Sequence, residues 1–478
     1  MPARHRLFTS RTGGQVRLYA ECSSTRIDLT LELPMDRRSF LRSTAIAAGV
    51  ATLGPSFWQS AYAATATPGT GPYGGLLPAD ANGVMLPKGF TSKILATSGS
   101  IVPGTTYPWH AAPDGGAVFP QSDGGWVYTS NSEIPFGGGV GALRFNAKGE
   151  ISSAYRILTG TSLNCAGGPT PWGTWLSGEE HVLGLVHECG VGAAGQGTAL
   201  PALGTFAHEA VTVDSGRKQL YLTEDTTDSR FYRFTPKAYP MLTEGLLEVL
   251  FADAAGNVTW QPALAPTMPQ SRNRLAGSMV FNGGEGVWFD AGHVYFTTKG
   301  DNRVWDLDVA AQKLSVLYDA KVLGDKAPLT GVDNVVVSQS GDIFVAEDGG
   351  NLEVVIISTE RQVAPVARLI GHNASEITGP AFSPDGKRLY FSSQRGKDGR
   401  GVTFEVSGPF RTTRTAAPAR GTLTPTGKKA APRQAPQPAG GSLPTTGLGA
   451  APVVAGAAVA AGLAGAAFAR RTTDKPGS

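Results

Sequence analysis

One stretch of the chain concentrates residue types that bind metals. The segment NCAGGPTPWGTWLSGEE, residues 164–180, places Cys165 among glycines and prolines and ends in the adjacent carboxylates Glu179 and Glu180. A thiolate is a soft metal ligand and a carboxylate is a hard one. In an exported protein, however, a cysteine is often half of a disulfide, and Cys189 is the available partner. The spacing alone slightly favours the disulfide over a metal site.

Acidic residues recur at one position of a repeated sequence pattern, which we call the phrase. A short apolar strand, a turn rich in Asp or Gly and a second strand follow one another, as in HEAVTVDSGRKQLYLTED at residues 208–225. The phrase returns from Gly284, Gly331 and Gly379, and appears in looser form in the residues before 208. The repeat length is roughly 40–50 residues, and short strands at that period indicate a β-propeller.

The composition agrees with this all-β interpretation. The chain of 478 residues contains 63 glycines and 33 prolines, and only 17% of its residues are charged, which suits many short strands joined by turns. Six repeats fit residues 64–411, with an insertion around Pro262–Leu275. A β-sandwich pair is the structural alternative, but it does not explain the period. We therefore predict a six-bladed β-propeller.

Equivalent positions of propeller blades converge on the central channel. Carboxylates that crowd there repel one another, so cations must compensate them. Several oxygen ligands together favour Ca²⁺. The predicted acidic ring consists of Glu179, Glu180, Glu209, Glu285 and Asp333, with Glu133 and Glu376 as further candidates.

The N-terminal part carries an export pattern. Residues 35–63 contain Arg37 and Arg38, a mildly apolar run over residues 45–53, and a small-x-small site that ends at Ala63. This order is typical of a twin-arginine signal peptide. We expect cleavage after Ala63 and recognition by the twin-arginine translocase. Residues 1–34 show no clear pattern and are interpreted as an artefactual or disordered extension.

The C-terminal part carries an anchoring pattern over residues 443–478. An apolar run at residues 451–469 is long enough to span a bilayer as a helix and is followed by two arginines. We favour a sortase signal over the alternative, a plain membrane anchor. The pentapeptide that a sortase would recognise comprises Leu443, Pro444, Thr445, Thr446 and Gly447.

These ends predict where the folded body works. Residues 412–442, rich in Ala, Pro, Thr and Lys, are predicted to be a disordered spacer across the wall. The expected location is the cell wall or surface of a Gram-positive-type bacterium, with sortase and peptidoglycan as partners. Basic residues are scattered and the net charge is only +3, so a nucleic-acid partner is not expected. We expect a monomer.

Four segments together resemble the PhoX-type alkaline phosphatase family. They are NCAGGPTPWGTWLSGEE, HEAVTVD, GEGVWFD with YFTTKGDNRVW, and EITGPAFSPDGKRLYF, and the similarity spans roughly residues 74–406. The resemblance implies a six-bladed propeller, exported through the twin-arginine route, that carries calcium and iron. It also implies hydrolysis of phosphate monoesters, with a small phosphorylated molecule as substrate.

The resemblance also implies a ligand set. The cysteine of the family's first motif, an iron ligand, corresponds to Cys165, which shifts the interpretation from disulfide to metal ligand. Cys165, Glu209 and Glu285 are thereby expected in the catalytic centre. The metal ligands that the resemblance implies are Cys165, Glu180 with Glu179 as the weaker choice, Glu209, Asp225, Glu285 and Asp333.

The chain departs from the family pattern at one position. The family has an arginine that binds substrate phosphate two residues before the glutamate matched by Glu285, and this chain has Gly283 there. This departure leaves two alternatives, a calcium-binding propeller with lactonase-type activity and a non-catalytic surface module. Cations that could replace the arginine from a neighbouring strand end are Arg230, Lys299, Arg303 and Arg395.

Overall fold

The computed structural model describes residues 65–414 and the backbone of three upstream strands. Those strands, β1 (Leu7–Thr12), β2 (Gln15–Cys22) and β3 (Thr25–Leu29), form an antiparallel sheet within the segment predicted as an N-terminal extension. The twin-arginine segment, the spacer, the sortase pentapeptide and the predicted apolar helix lie outside the described residues. No helix among the residues described has the length and apolar character needed to cross a membrane.

Residues 65–414 form six twisted sheets around one axis, which confirms the predicted six-bladed β-propeller. Blade one comprises β7 (Pro113–Pro120), β8 (Trp126–Ser132), β9 (Gly138–Phe145) and β10 (Ile151–Thr161). Blade two comprises β11 (Asn164–Pro169), β12 (Thr174–Glu179), β13 (Val186–Gly190) and β14 (Thr198–Ala199). Blade three comprises β15 (His208–Asp214), β16 (Gln219–Glu224), β17 (Phe231–Ala238), β18 (Met241–Ala252) and β19 (Val258–Pro262).

The remaining blades follow the same order from the axis outward. Blade four comprises β20 (Gly284–Asp290), β21 (His293–Thr298), β22 (Arg303–Asp308) and β23 (Lys313–Asp319). Blade five comprises β24 (Val332–Val337), β25 (Ile343–Glu347), β26 (Glu353–Ile357) and β27 (Gln362–Leu369), and blade six comprises β28 (Ile377–Phe382), β29 (Arg388–Ser393) and β30 (Val402–Ser407). The short helices among the described residues are α1 (Ala320–Leu323) and 3₁₀ turns at Pro201–Leu203, Gln270–Arg272, Lys299–Asp301 and Gly324–Lys326.

The N-terminal part of the body closes the ring. Strand β6 (Thr91–Thr97) pairs antiparallel with β30 and supplies the outer strand of blade six. Strands β4 (Thr67–Pro68) and β5 (Val84–Met85) both pair with β27 of blade five. Since inner strands β7 and β28 also contact each other, the first and last blades are joined both at the axis and at the rim.

The hydrophobic core lies between the blades. Alternate residues of each strand face a neighbouring blade, and each of the six blade interfaces in the described body buries its own apolar cluster. Between blades three and four, Phe231 stacks on Phe296 with ring centroids 4.3 Å apart, and Trp305 stacks on Phe296 at 5.9 Å. This packing holds the inner strands in a fixed angular order around the axis.

Small residues allow the inner strands to approach one another closely. A Cβ atom added at Gly168 of β11 would lie 1.6 Å from the backbone oxygen of Val211 in β15, whereas one added at Gly190 would meet nothing within 4 Å.

We expect Gly168→Ala to lower the free energy of unfolding by at least about 2 kcal/mol because the strands must separate. Urea denaturation measures this loss, with Gly190→Ala as the matched control; equal stability of the two variants would contradict it.

Candidate metal centre

The pairing register is the same at the axis-proximal end of all six blades. The first residue of each inner strand pairs with the last residue of the second strand, and in blades one to five the register shifts by a bulge directly after this pair. In blade six the shift comes one residue later, after Thr378. A bulge re-aims the side chain that it displaces. The second residues of the inner strands form what we call the inner ring: Asp114, Cys165, Glu209, Glu285, Asp333 and Thr378.

A second set of equivalent positions surrounds the inner ring. The residue directly after each second strand defines what we call the outer ring: Glu133, Glu180, Asp225, Lys299, Asp348 and Gln394. The carboxylates of the inner ring are buried, whereas outer-ring members such as Lys299 and Asp348 keep about a third of their side-chain surface exposed (32% and 33%). Apart from the buried Gln394, the outer ring therefore lies on the solvent side of the inner ring, at the mouth of the channel.

Members of the two rings, together with Glu376, form four overlapping donor groups. In each group the ligand atoms lie within 4.8 Å of one another. Consecutive groups share one member, which is Cys165, then Glu209, then Asp333. The groups are Asp114–Glu133–Cys165, Cys165–Glu180–Glu209, Glu209–Glu285–Asp333 and Asp333–Asp348–Glu376. This continuous series of donors suits several adjacent cations better than one isolated ion.

The donor atoms fit a metal centre on two counts. Oε2 of Glu209 is buried and, among the described residues, has no hydrogen-bond partner, a situation that costs free energy unless a cation is present. The amide Nδ2 of Asn334 donates to Glu209 Oε1 at 3.3 Å and to Asp333 Oδ1 at 2.9 Å, which orients both carboxylates. The mixture of one thiol with many carboxylates matches a soft metal beside hard ones.

The electrostatics of the centre favour cation binding. Burial, followed by the neighbouring carboxylates, raises the pKa of Glu180 to about 9. Burial likewise raises the pKa of Asp333 to about 7 and of Glu376 to about 8. Burial and the adjacent acids Asp114, Glu209 and Glu180 also raise the pKa of the Cys165 thiol. Without cations the centre therefore retains protons, and a metal that binds must displace them.

Two of the four basic side chains that were predicted to bind substrate lie at the metal centre. Lys299 Nζ lies 3.2 Å from Glu285 Oε1 and 3.1 Å from Asp348 Oδ2, and Arg395 Nη1 lies 2.7 Å from Glu376 Oε1. The structure places the other two elsewhere. Arg230 bonds to Ser278 and Asp228, and Arg303 bonds to Asp301 and Asp319.

The adjacent glutamates Glu179 and Glu180 are separated by the fold. Glu180 enters the second donor group, whereas the Glu179 carboxylate accepts hydrogen bonds from the backbone N–H groups of Ser162 and Leu185 and bonds His187. Successive strand residues point to opposite faces, so only one of the pair reaches the channel. Asp225 lies in the outer ring and contributes to the raised pKa of Glu180.

The sequence analysis missed two donors that the structure brings into the series, Asp114 and Asp348. Asp114 lies in the loosely matching first phrase, APDGG, and Asp348 follows the second strand of blade five. Asp114 could not be predicted because its phrase matches the repeat only loosely, and Asp348 because it lies at the end of its phrase. Glu133 and Glu376, the further candidates, also enter the donor groups.

The two cysteines of the propeller are both free. Cys165 lies in the inner ring, whereas Cys189 is buried with Trp175 and Leu158 in the core between blades one and two. The disulfide that the spacing favoured is therefore wrong, because the two side chains face different parts of blade two.

Side chains of one blade position the inner ring of the next. Asn131 Nδ2 donates to the carbonyl oxygen of Cys165 at 3.0 Å. In the same way, the hydroxyl groups of Thr223 and Thr297 donate to the carbonyl oxygens of Glu285 and Asp333. These bonds attach a buried second strand to the bulge of the following inner strand. They make the geometry of the donors a property of the whole ring.

The channel is nearly filled below the inner ring. A cavity of about 30 Å³ is lined there mainly by glycine, alanine and other small residues of the inner strands, and by Trp175 and Trp288. That volume accommodates about two water molecules. A molecule as large as a phosphate ester does not fit this cavity, so we expect it to approach the centre from the outer-ring side.

A family model matches the part of the chain that contains much of the metal centre. The family model of alkaline phosphatase PhoX matches residues 127–194 and 192–316. These segments contain Glu133, Cys165, Glu180, Glu209 and Glu285. The match supports a PhoX-type phosphatase. The PhoX family is metal-dependent, in agreement with the donor series. No curated protein matches the chain.

The chain was compared with solved structures, and the likeness to the first of them supports the propeller fold. PhoX of Pseudomonas fluorescens, solved in complex with vanadate, a transition-state analogue, is similar with a TM-score of 0.56 and 15% sequence identity, covering 70% of this chain and 97% of that one. A gluconolactonase of Xanthomonas campestris gives 0.42 and 11%, covering 71% and 98%. The calcium-binding regucalcin of Agrobacterium tumefaciens gives 0.36 and 15%, covering 68% and 98%. The last two likenesses are too weak to favour the lactonase alternative over a PhoX-type activity.

Proposed function

We propose that this protein is a metal-dependent phosphatase that hydrolyses phosphate monoesters at the bacterial surface. The observation that carries the proposal is the unbroken series of four donor groups with Cys165 among its shared members. Most of that series lies in the segments that match the PhoX model. A phosphate ester is an anion, so it would be repelled by these carboxylates unless cations compensated them.

The chemistry of the donors suggests how the metals divide. The group Asp333–Asp348–Glu376 offers only oxygen atoms, which suits Ca²⁺. The two groups that contain Cys165 add a thiolate, which suits iron. When bound, such ions supply positive charge and Lewis acidity for the transferred phosphoryl group.

The chain's own residues hold and screen this centre. Glu209 and Glu285 lie deep in the channel, where burial makes their charge most effective in retaining cations. Gln394 Nε2 donates to Asp114 Oδ2 at 2.5 Å and to Glu133 Oε2 at 2.7 Å. It thereby fixes the two carboxylates of the first group. Because the channel is filled below the centre, the ester would enter with its phosphate first and its organic part toward solvent.

Turnover of p-nitrophenyl phosphate tests the proposal. Protein that contains calcium and iron should release p-nitrophenol, and removal of both metals by a chelator should abolish the release. Readdition of the metals should restore it. A six-carbon lactone serves as the comparison substrate. If the metal-loaded protein opened the lactone and left the phosphate ester intact, the function would be that of a lactonase; inactivity on both would support a surface module.

The proposed location depends on the ends of the sequence. We propose that the twin-arginine translocase exports the folded propeller through recognition of Arg37 and Arg38, and that a sortase joins Thr446 to peptidoglycan. Export of folded protein would allow metals to be installed before secretion. Fractionation of cells that carry an Arg37→Lys, Arg38→Lys variant tests this route, since wall-bound protein from that variant would contradict it.

A further inference from the structure

We propose that Lys299 is the residue that binds the substrate phosphate in this chain. This inference depends on the proposed phosphatase function and identifies the cation that replaces the family's arginine. Lys299 is the cationic member of the outer ring, whose other members are Glu133, Glu180, Asp225, Asp348 and Gln394. It comes directly after β21, beside the carboxylate of Glu285.

The backbone conformation at position 283 disfavours an arginine. Gly283 has φ = +68°, a conformation that disfavours residues with a side chain. A Cβ atom there would lie 3.2 Å from Asp225 Oδ1 and 3.6 Å from Glu285 Oε1. A side chain at this position would thus begin within the centre, next to the carboxylate of Glu285.

Lys299 reaches the same oxygen from the neighbouring strand end. Its backbone N–H donates to the carbonyl oxygen of Gly283 at 2.8 Å, so the two residues are held side by side. Its Nζ lies 3.2 Å from Glu285 Oε1, the atom that a side chain at position 283 would approach. The lysine therefore places a positive charge beside the Glu285 carboxylate, close to where a side chain at position 283 would begin.

The other basic side chains are less suitable than Lys299 for binding the substrate phosphate. Arg395 is half exposed at 51% and is paired with Glu376, outside the inner ring. Arg230 and Arg303 are engaged away from the donor groups. A lysine binds phosphate as a point charge, whereas an arginine binds it through two parallel hydrogen bonds. The site should therefore bind phosphate with fewer constraints on its orientation.

A purely structural role of Lys299 and a role in substrate binding predict different results when the residue is removed. If Lys299 only compensated Glu285 and Asp348, its removal would alter how many metal ions the centre retains. If it binds substrate, bound cations take over the compensation of those carboxylates, and the ammonium group is available to the phosphate. Phosphate affinity and metal content, measured on the same protein, separate the two roles.

The experiment uses Lys299→Ala and Lys299→Arg in metal-loaded full-length protein. We expect Lys299→Ala to raise both KM for p-nitrophenyl phosphate and the dissociation constant of inorganic phosphate at least about tenfold, with unchanged calcium and iron content. Lys299→Arg should recover most of the affinity. The control is Lys237→Ala, which removes a surface lysine paired with Glu244.

Three results would overturn the inference. Unchanged phosphate affinity in Lys299→Ala would show that the ammonium group does not contact substrate. Loss of metal together with affinity would assign Lys299 a structural role, as would failure of Lys299→Arg to recover binding. A wild-type protein that binds its metals but hydrolyses no phosphate ester would instead contradict the proposed function, and inorganic-phosphate binding would then be measured alone.

Discussion

Glu209→Gln should reduce phosphatase activity by more than about 100-fold, because this carboxylate belongs to two donor groups at once. Substitutions of residues that merely support metal ligands cost about 10–100-fold in affinity or activity, and a shared ligand should cost more. Glutamine keeps the size of glutamate and the hydrogen bond from Asn334, but it removes the negative charge. Elemental analysis should show fewer bound metal ions per chain, in parallel with the lost turnover.

The stability of the same variant distinguishes a ligand from a structural residue. Burial and the neighbouring acids Glu285, Glu180 and Asp333 raise the pKa of Glu209 well above its usual value. Glutamine should therefore leave the metal-free protein at least as stable as wild type, while the stabilisation by added calcium decreases. Glu244→Gln, at an exposed position, is the control. The ligand role would be refuted if the Glu209→Gln variant bound as many metal ions as wild type while its metal-free form unfolded at a lower urea concentration.

Cys165→Ser should remove iron from the protein and leave much of its calcium. Cys165 is the one soft donor in the described series and belongs to its first two groups, whereas the fourth group offers oxygen atoms alone. A serine hydroxyl has nearly the same size but is a far weaker acid and a hard ligand. We expect activity to fall by at least about 100-fold, with iron per chain measured on the same samples.

Cys189→Ala provides the matched control for the thiol. Cys189 is buried in the core between blades one and two, away from the donor groups. Its replacement should reduce stability modestly and leave metal content and turnover per folded molecule unchanged. If both cysteine variants lost iron equally, the metal would depend on the fold of blade two rather than on Cys165. Retention of iron by Cys165→Ser would reject the thiolate ligand directly.

Position within the repeat was enough to predict the ring, but not every member of it. Glu209, Glu285 and Asp333 could be predicted because each follows the first residue of a clearly recognisable inner strand. Asp114 occupies the same position, but glycines interrupt its phrase, so its match to the other phrases is loose. Asp348 lies at the end of a phrase, where only the pairing register shows that it is equivalent to Glu180.

The basic side chains illustrate a different limit of prediction from the sequence. Arg230, Lys299, Arg303 and Arg395 all lie near strand ends, and one-dimensional spacing does not distinguish them. The direction of each side chain decides, and that direction depends on which carboxylates are nearest. Asp301 and Asp319 hold Arg303 within its own blade, while Glu285 and Asp348 draw Lys299 into the channel.

The sequence by itself determined the six-bladed architecture and the chemical character of the centre. The period of its phrases sets the number of blades, and its acidic residues at strand starts, with Cys165, set the ligand types. Only the tertiary structure decided which side chains meet. A bulge at the start of each inner strand selects the second residue, strand alternation selects Glu180 over Glu179, and closure by β6 brings blade six against blade one. These are long-range features of pairing, and no local segment contains them.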